Sequence, residues 1–114
     1  MQTVDQLSVF QKTYDFYGLL HQRVRTFPKG DRYTLGERAL GTTLDILESI
    51  ISAGNAKQEW KIPAIDKALV KLEIEKVLVR LAHEIGSMDE GQYLRLSERL
   101  QEIGRMLGGW RRSI

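Results

Sequence analysis

The sequence predicts an all-α protein folded as an antiparallel, up-down-up-down four-helix bundle. Apolar residues recur with a helical period in four stretches, capping or helix-breaking residues separate these stretches, and the connections between them are short. No segment shows the alternation of apolar and polar residues that is typical of a strand. With 114 residues, of which 42% are hydrophobic, the chain is long enough for one core, and we predict a single domain over residues 1–114.

The first predicted helix runs from about Val4 to Thr26. Thr3 and Gln6 have the spacing of a capping box, in which two side chains bond the free amides at a helix start. Pro28 cannot continue a helix, so it sets the end of this one.

The second predicted helix begins with another capping-box pattern, Thr34 to Glu37, and runs to about Ala53. Gly54 and Asn55 follow, and these two residue types commonly adopt the left-handed conformation that closes a helix. Leucine and isoleucine, together with Ala39 and Thr43, fill about half of the helical wheel, which predicts one buried face.

The third predicted helix begins at Pro63, because proline suits the first helical position, and ends near Ile85 before Gly86. The fourth is capped by Ser87 and continues to about Leu107 or slightly beyond. Its apolar residues alternate in steps of three and four, which indicates a single buried seam.

The first and third helices carry more apolar surface than one face of a four-helix bundle buries. Each has a second apolar stripe on another side of the helix. Because large exposed apolar patches are rare on monomers, we predict a homo-oligomer, with a wide intramolecular core as the alternative. The predicted subunit contact consists of Val70, Ile74, Val77, Leu81, Phe16 and Leu20.

Basic residues are concentrated in two clusters, while the rest of the chain has nine basic and thirteen acidic residues. This asymmetry predicts an anion-binding surface formed by both clusters, for nucleic acid or for an acidic protein face; the alternative is solvated surface charge. Trp110, beside the second cluster, either stacks on a base or ends the buried seam. The first cluster is Arg23, Arg25, Lys29, Arg32 and Arg38, and the second is Arg105, Arg111 and Arg112.

The search for catalytic chemistry predicts no enzyme and no catalytic, cofactor-binding or metal-binding residue. The chain has no cysteine, which excludes disulfides, thiolate catalysis and cysteine-based zinc sites. His21 and His83 lack the spacing of a metal site in a helix bundle, so we predict structural or surface roles for both. The glycines match neither a phosphate loop nor a dinucleotide-binding motif.

No apolar run approaches the roughly 20 residues that a membrane-spanning helix needs. The first ten residues lack the basic start and apolar centre of a secretory signal. We therefore expect a cytoplasmic protein with no membrane partner.

Two segments carry a resemblance to a known family. "RYTLGERALGTTLDILESIISA", residues 32–53, and "EIGRMLGGW", residues 102–110, resemble the Avd-type four-helix-bundle proteins, the accessory variability determinants of diversity-generating retroelements. Their relatives are encoded in intervening sequences of 23S ribosomal RNA genes. The resemblance implies a non-enzymatic protein that forms a homopentameric barrel, binds nucleic acid through basic surfaces and associates with the retroelement reverse transcriptase in mutagenic copying.

On this basis we expect a ring-like homopentamer whose partners are the reverse transcriptase and RNA or DNA, bound with weak sequence specificity. Two alternatives remain open. One is an intervening-sequence relative of unknown role, and the other is an oligomeric scaffold that binds only protein.

Overall fold

The computed structural model describes residues 4–114, and every regular element in that range is helical. The four main helices are α1 (Val4–Val24), α2 (Glu37–Asn55), α3 (Gln58–Glu84) and α4 (Glu90–Ser113). A helix of 27 residues such as α3 is about 40 Å long, close to the 44 Å long axis of the body. The helices therefore run along that axis, and the short connections make consecutive helices antiparallel.

Each helix packs against its two neighbours in the bundle. Helix α1 contacts α2 and α4, and α3 also contacts α2 and α4. One apolar stripe from each helix meets along the central axis, which confirms the predicted all-helical bundle. The largest fully buried apolar side chains are Phe16, Leu20, Ile46, Ile50, Ile65, Leu72, Leu96, Leu100, Ile103 and Leu107.

The buried seam of α4 ends at Trp110, which is only 3% exposed. Its indole is part of the core and is not available for stacking on a base. Of the two alternatives that the sequence left open for this side chain, the structural one is therefore right. Thr3, of the predicted capping box before α1, lies outside the described residues.

The predicted capping box at Thr34 is wrong, because the chain is already helical before that residue. Lys29–Asp31 forms one α-helical turn, and Arg32–Gly36 forms a π-helical turn that continues directly into α2. The Thr34 hydroxyl donates to the Gly30 carbonyl at 2.8 Å within this run and caps nothing.

Gly36 ends the π-helical turn and lies against α1. A Cβ atom at this position would be 2.6 Å from Cγ1 of Val24, a buried and β-branched side chain that has little freedom to move. The helical φ of −61° at Gly36 needs no glycine. The absence of a side chain is therefore explained by the close approach of α1 to α2.

The predicted left-handed closure at Gly54 is also wrong, since α2 continues through it to Asn55. Gly54 is buried, and an added Cβ atom would overlap the Gln6 carboxamide of α1. The last carbonyls of α2 are bonded instead by Lys61, whose Nζ donates to Ala53 O at 3.0 Å and Gly54 O at 3.2 Å.

Helix α3 begins at Gln58, earlier than the predicted start at Pro63, which lies inside the helix. Pro63 is exposed, and lacking an amide hydrogen it cannot donate to the carbonyl four residues before it. The predicted end is confirmed, because α3 stops at Glu84 and Gly86 has a φ of +87°.

The start of α4 differs from prediction by two residues. Asp89 is the N-cap, and its carboxylate accepts from the Gln92 amide at 2.8 Å while the Gln92 side chain bonds back to Asp89 N. The predicted cap, Ser87, donates instead to Asp31 Oδ2 at 2.8 Å. That bond joins the connection between α3 and α4 to the turn before α2.

Glu75 of α3 is a carboxyl group buried in the core. Its Oε2 lies 2.5 Å from Thr43 Oγ1, which is also 3.2 Å from the Ala39 carbonyl. Thr43 has one hydroxyl hydrogen, so both bonds are satisfied when a protonated Glu75 donates to Thr43 and Thr43 donates to Ala39. Burial raises the pKa of Glu75 to about 8 against the opposing effect of the Thr43 hydrogen bond, and the charge of Asp45 raises it further.

Substitution by alanine at the helical glycines Gly36 and Gly41 should change the free energy of unfolding in opposite directions. Gly36→Ala should lower the free energy of unfolding by about 1–3 kcal/mol, because its Cβ would collide with Val24. Gly41→Ala meets nothing within 4 Å and should raise the free energy of unfolding by up to about 1 kcal/mol. Urea unfolding of both variants measures the difference, and equal effects would contradict the close-approach argument.

Stability should fall as the pH rises through the window from 4.5 to about 8. In that window folded Glu75 holds a proton that the unfolded chain releases, so unfolding becomes easier by up to about 1.4 kcal/mol per pH unit. Glu75→Gln, which cannot ionise, should flatten this dependence. Denaturant unfolding at pH 5, 6.5 and 8 tests it, and parallel pH profiles for wild type and variant would be the contrary result.

Candidate functional site

The two predicted basic clusters lie at opposite ends of the bundle. Val24 meets Gly36 at the end where α1 turns into α2, and the bond from Ser87 to Asp31 is at the same end. We call this the junction end. Trp110 lines a cavity with Gln6, so the last turns of α4 are at the other end, the terminal end.

The predicted single surface is therefore wrong for one chain. Arg105, Arg111 and Arg112 belong to the second half of α4, which runs away from the junction end along the 44 Å axis. They cannot contact one compact ligand together with the first cluster.

At the terminal end, Arg111 and Arg112 make structural contacts. Arg111 donates to both carboxylate oxygens of Asp66 on α3, at 2.6 and 3.3 Å. The hydrogen bond from Arg111 holds the pKa of Asp66 below its ordinary value, and the positive charge contributes in the same direction. The Arg112 guanidinium lies over Gly108, where an added Cβ would be 3.3 Å from it.

At the junction end, four cationic side chains make no ion pair and no hydrogen bond to any described residue. Each is exposed or half-buried at the surface. By contrast, Lys12, Lys71, Lys76 and Arg80 each lie within 4 Å of a carboxylate. The four unpaired side chains are Arg23, Arg25, Lys29 and Arg38.

Arg32, the fifth member of the first cluster, is bound into the turn. Its Nη2 donates to the Phe27 carbonyl at 3.4 Å, and its guanidinium carbon lies 5.9 Å from the centre of the Tyr33 ring. Its Nε is buried and has no hydrogen-bond partner among the described residues. Arg32 therefore stabilises the path of the chain more than it extends the charged surface.

Sequence reasoning missed two arginines of α4, Arg95 and Arg99. Both lie on the side of α4 that faces α1, and with Arg23 they border a shallow groove between these two helices. A spacing of four residues on one side of an amphipathic helix was the available signal. Because Glu98 lies directly before Arg99, the net charge of this segment is low, and a search for basic clusters does not find the two arginines.

Two groups of exposed apolar side chains lie on α3 and on the pair α1 and α2. On α3, Val70 is 60% exposed, and Ile74, Val77 and Leu81 continue its stripe along the outer side of the helix. Phe16 and Leu20, by contrast, are each 1% exposed and belong to the core of the chain. Their assignment to a subunit contact is therefore wrong.

Helices α1 and α2 pack against each other, and each leaves large apolar side chains exposed. Leu7 protrudes from α1, and Leu44 and Ile51 protrude from α2. We call these three residues the α1–α2 face. Together with the α3 stripe, it gives the chain two separate apolar surfaces.

Neither histidine is placed for metal binding. His83 stacks on Tyr93 with ring centres 4.6 Å apart, and its Nδ1 lies 3.1 Å from the Met88 carbonyl. His21 is exposed beside Tyr17. Among residues 4–114, no three histidine or carboxylate side chains are grouped closely enough to hold a metal ion. None of the helices described is long and apolar enough to cross a membrane.

The sequence matches the model of the bAvd-like family over residues 7–114. The chain belongs to this family. The fold is similar to the crystal structure of a protein of unknown function from the S23 ribosomal protein family of Bacteroides thetaiotaomicron VPI-5482, with a TM-score of 0.85 and 15% sequence identity over 96% of this chain and 99% of that one. At that identity the likeness concerns the fold alone. None of the curated proteins matches the sequence.

The two segments that carry the family resemblance occupy different parts of this bAvd-like chain. Residues 32–53 form the π-helical turn and most of α2, and residues 102–110 form part of the second half of α4. The first contributes Arg38 to the junction end, whereas the second contributes the buried side chains that end at Trp110. The recognisable sequence of this bAvd-like protein is therefore mainly a packing pattern.

Proposed function

We propose that this bAvd-like protein is a non-catalytic accessory protein of a diversity-generating retroelement. It acts in the cytoplasm, where it binds the reverse transcriptase and the RNA or DNA that the transcriptase copies. The observation that carries the proposal is the set of unpaired cations at the junction end, Arg23, Arg25, Lys29 and Arg38.

Unpaired cations on a protein surface favour a polyanionic partner. Each phosphate that they neutralise releases condensed counterions, which makes the binding favourable and sensitive to salt. Contacts to phosphate carry no base information, so this surface is suited to weakly specific binding. Such binding fits a protein that accompanies copying of a long template.

Assembly into a ring-like homopentamer is part of the proposal. The α3 stripe and the α1–α2 face lie on different helices, so a contact between them joins unlike surfaces of two subunits. Heterologous contacts of this kind generate closed rings when the rotation closes. The number five follows from the family resemblance. A ring would repeat the junction end in every subunit and so raise the avidity for a long nucleic acid.

Removing two junction-end charges should weaken nucleic-acid binding. For Arg25→Gln/Arg38→Gln we expect lower affinity for a labelled single-stranded RNA and a salt dependence shallower by about 1.4 in log–log slope. The matched control is Lys57→Gln/Lys67→Gln, which removes two exposed charges that have no ion pair within residues 4–114. Fluorescence anisotropy across a salt series measures both.

The same variants should be compared in pull-down of the reverse transcriptase. If Arg25→Gln/Arg38→Gln is folded and binds RNA and the transcriptase as well as the control variant does, the proposed surface is refuted. Transcriptase binding without any RNA binding by the wild type would favour the protein-only scaffold instead.

Charges placed on the α3 stripe should dissociate the oligomer. In Val70→Glu/Val77→Glu both substituted side chains are exposed in the chain, so folding should persist while buried charge at the contact disfavours assembly. Leu94→Glu, exposed on α4, is the control. Native mass spectrometry should show a pentamer for wild type and control and monomer for the variant; a monomeric wild type would contradict the ring.

A further inference from the structure

The groove between α1 and α4 joins three arginines from two helices. The part near the junction end is lined by Arg23, Arg95 and Gln92, and the more open part by Arg99 and Gln22. Arg23 and Arg99 are half-buried in the groove walls, whereas Arg95 is exposed. Three positive charges are therefore held along one cleft by two packed helices.

None of these three guanidinium groups is bonded to a carboxylate within residues 4–114. Asp15 is the acidic residue in the lining, and its Oδ1 accepts from the Gln11 amide at 2.9 Å. Further along the same helix pair, Lys12 and Glu102 neutralise each other at 3.1 Å. The positive charge of the groove is thus left for a ligand to balance.

Gly18 lines the groove without a side chain. It lies in the middle of α1, where glycine costs about 1 kcal/mol relative to alanine, and an added Cβ would meet nothing within 4 Å. Packing inside the chain therefore does not explain this glycine, in contrast to Gly36. One turn before it, the ring of Tyr14 is 60% exposed at the groove rim.

We propose that this groove binds a nucleotide unit of single-stranded nucleic acid. Arg23, Arg95 and Arg99 contact the phosphates, and an unstacked base lies over Gly18 against the Tyr14 ring. The inference rests on the proposed function and gives it a site that does not include Arg25 or Arg38.

The lining favours this ligand over an acidic peptide. Arginine with an exposed tyrosine is the combination that single-strand binding uses, because guanidinium groups take phosphates and aromatic rings stack on bases of any sequence. A helical peptide would need apolar anchors, and among the groove residues Leu19 is the aliphatic side chain that is partly exposed. Gln22 and Gln92 add hydrogen-bonding groups for sugar or base edges.

The groove also remains accessible in the proposed ring. On α4, Tyr93, Ser97 and Gln101 border Val77 of the α3 stripe, whereas Arg95 and Arg99 line the groove on the side of α1. On α1, Leu7 lies about two turns before Tyr14, the first groove residue of that helix. Subunit contact and nucleotide binding therefore involve different residues of the same chain.

The test uses the full chain and a labelled 12-nucleotide single-stranded RNA of mixed sequence, followed by fluorescence anisotropy. Arg95→Gln/Arg99→Gln should bind at least about tenfold more weakly, with a log–log salt slope shallower by about 1.4. The control Lys57→Gln/Lys67→Gln should bind nearly as the wild type does. Tyr14→Ala should lose about tenfold without a change in salt slope.

Gly18→Leu tests the groove at constant charge. Its side chain would fill the open space, and circular dichroism should show unchanged or raised thermal stability because a helix-interior glycine is removed. We expect at least about fivefold weaker RNA binding. Competition with AMP and with inorganic phosphate distinguishes a nucleotide site from a general phosphate site: AMP should displace the RNA at lower concentration.

Results that differ from these expectations refute either the groove, the proposed function or the preference for single strands. Groove variants that bind RNA like the control, while Arg25→Gln/Arg38→Gln binds weakly, would refute the groove and leave the proposed function standing. A wild type that binds polyglutamate but not RNA would refute both and assign the groove to an acidic partner. An equal loss of binding to a 12-base-pair duplex in Gly18→Leu and Tyr14→Ala would refute single-strand binding.

Discussion

The close contact of α1 with α2 is the constraint on which the surface of this protein depends. It is secured at both ends by a glycine, Gly36 against Val24 and Gly54 against the Gln6 side chain. With its axis held so near to α2, α1 directs Phe16 and Leu20 into the core and turns Leu7 outward. The same orientation turns Gly18 and Gln22 towards the groove beside α4.

The antiparallel course of the helices then determines which charges act together. Arginines close in sequence, such as Arg99 and Arg105, are directed to different parts of the surface because one lies towards α1 and the other is exposed away from the groove. Arginines far apart in sequence, such as Arg23 and Arg95, become neighbours. An anion bound between α1 and α4 would therefore meet charges that belong to a helix pair rather than to one segment.

Much of the fold was predictable from the sequence because local rules and packing agree over most of its length. The apolar period of each helix and the left-handed Gly86 gave the elements and one of the turns correctly. Thr34 and Ser87 misled, because each has the local pattern of a cap: Thr34 lies inside a helical run that begins at Lys29, and Ser87 bonds Asp31 instead of capping α4. Pro63 misled because an exposed helix turn tolerates a missing amide hydrogen.

The candidate site was less predictable, for a related reason. Burial of Phe16 and Leu20, pairing of Arg111 with Asp66, and the meeting of Arg23 with Arg95 all depend on which helix lies beside which. A helical wheel gives the angle between two stripes of one helix, but not the neighbour that each stripe meets. The net charge of a segment likewise does not indicate the pair Arg95 and Arg99, because Glu98 lies between them.

The buried Glu75 has a consequence for the heat of folding. Near pH 7 the folded chain holds a proton on this carboxyl that the unfolded chain has released. Folding therefore takes a proton from the buffer, and the heat of ionisation of the buffer is added to the heat measured in a calorimeter. Two buffers of equal pH and different ionisation enthalpy would give different apparent unfolding enthalpies for the same molecule. That difference, divided by the difference between the two ionisation enthalpies, gives the number of protons exchanged.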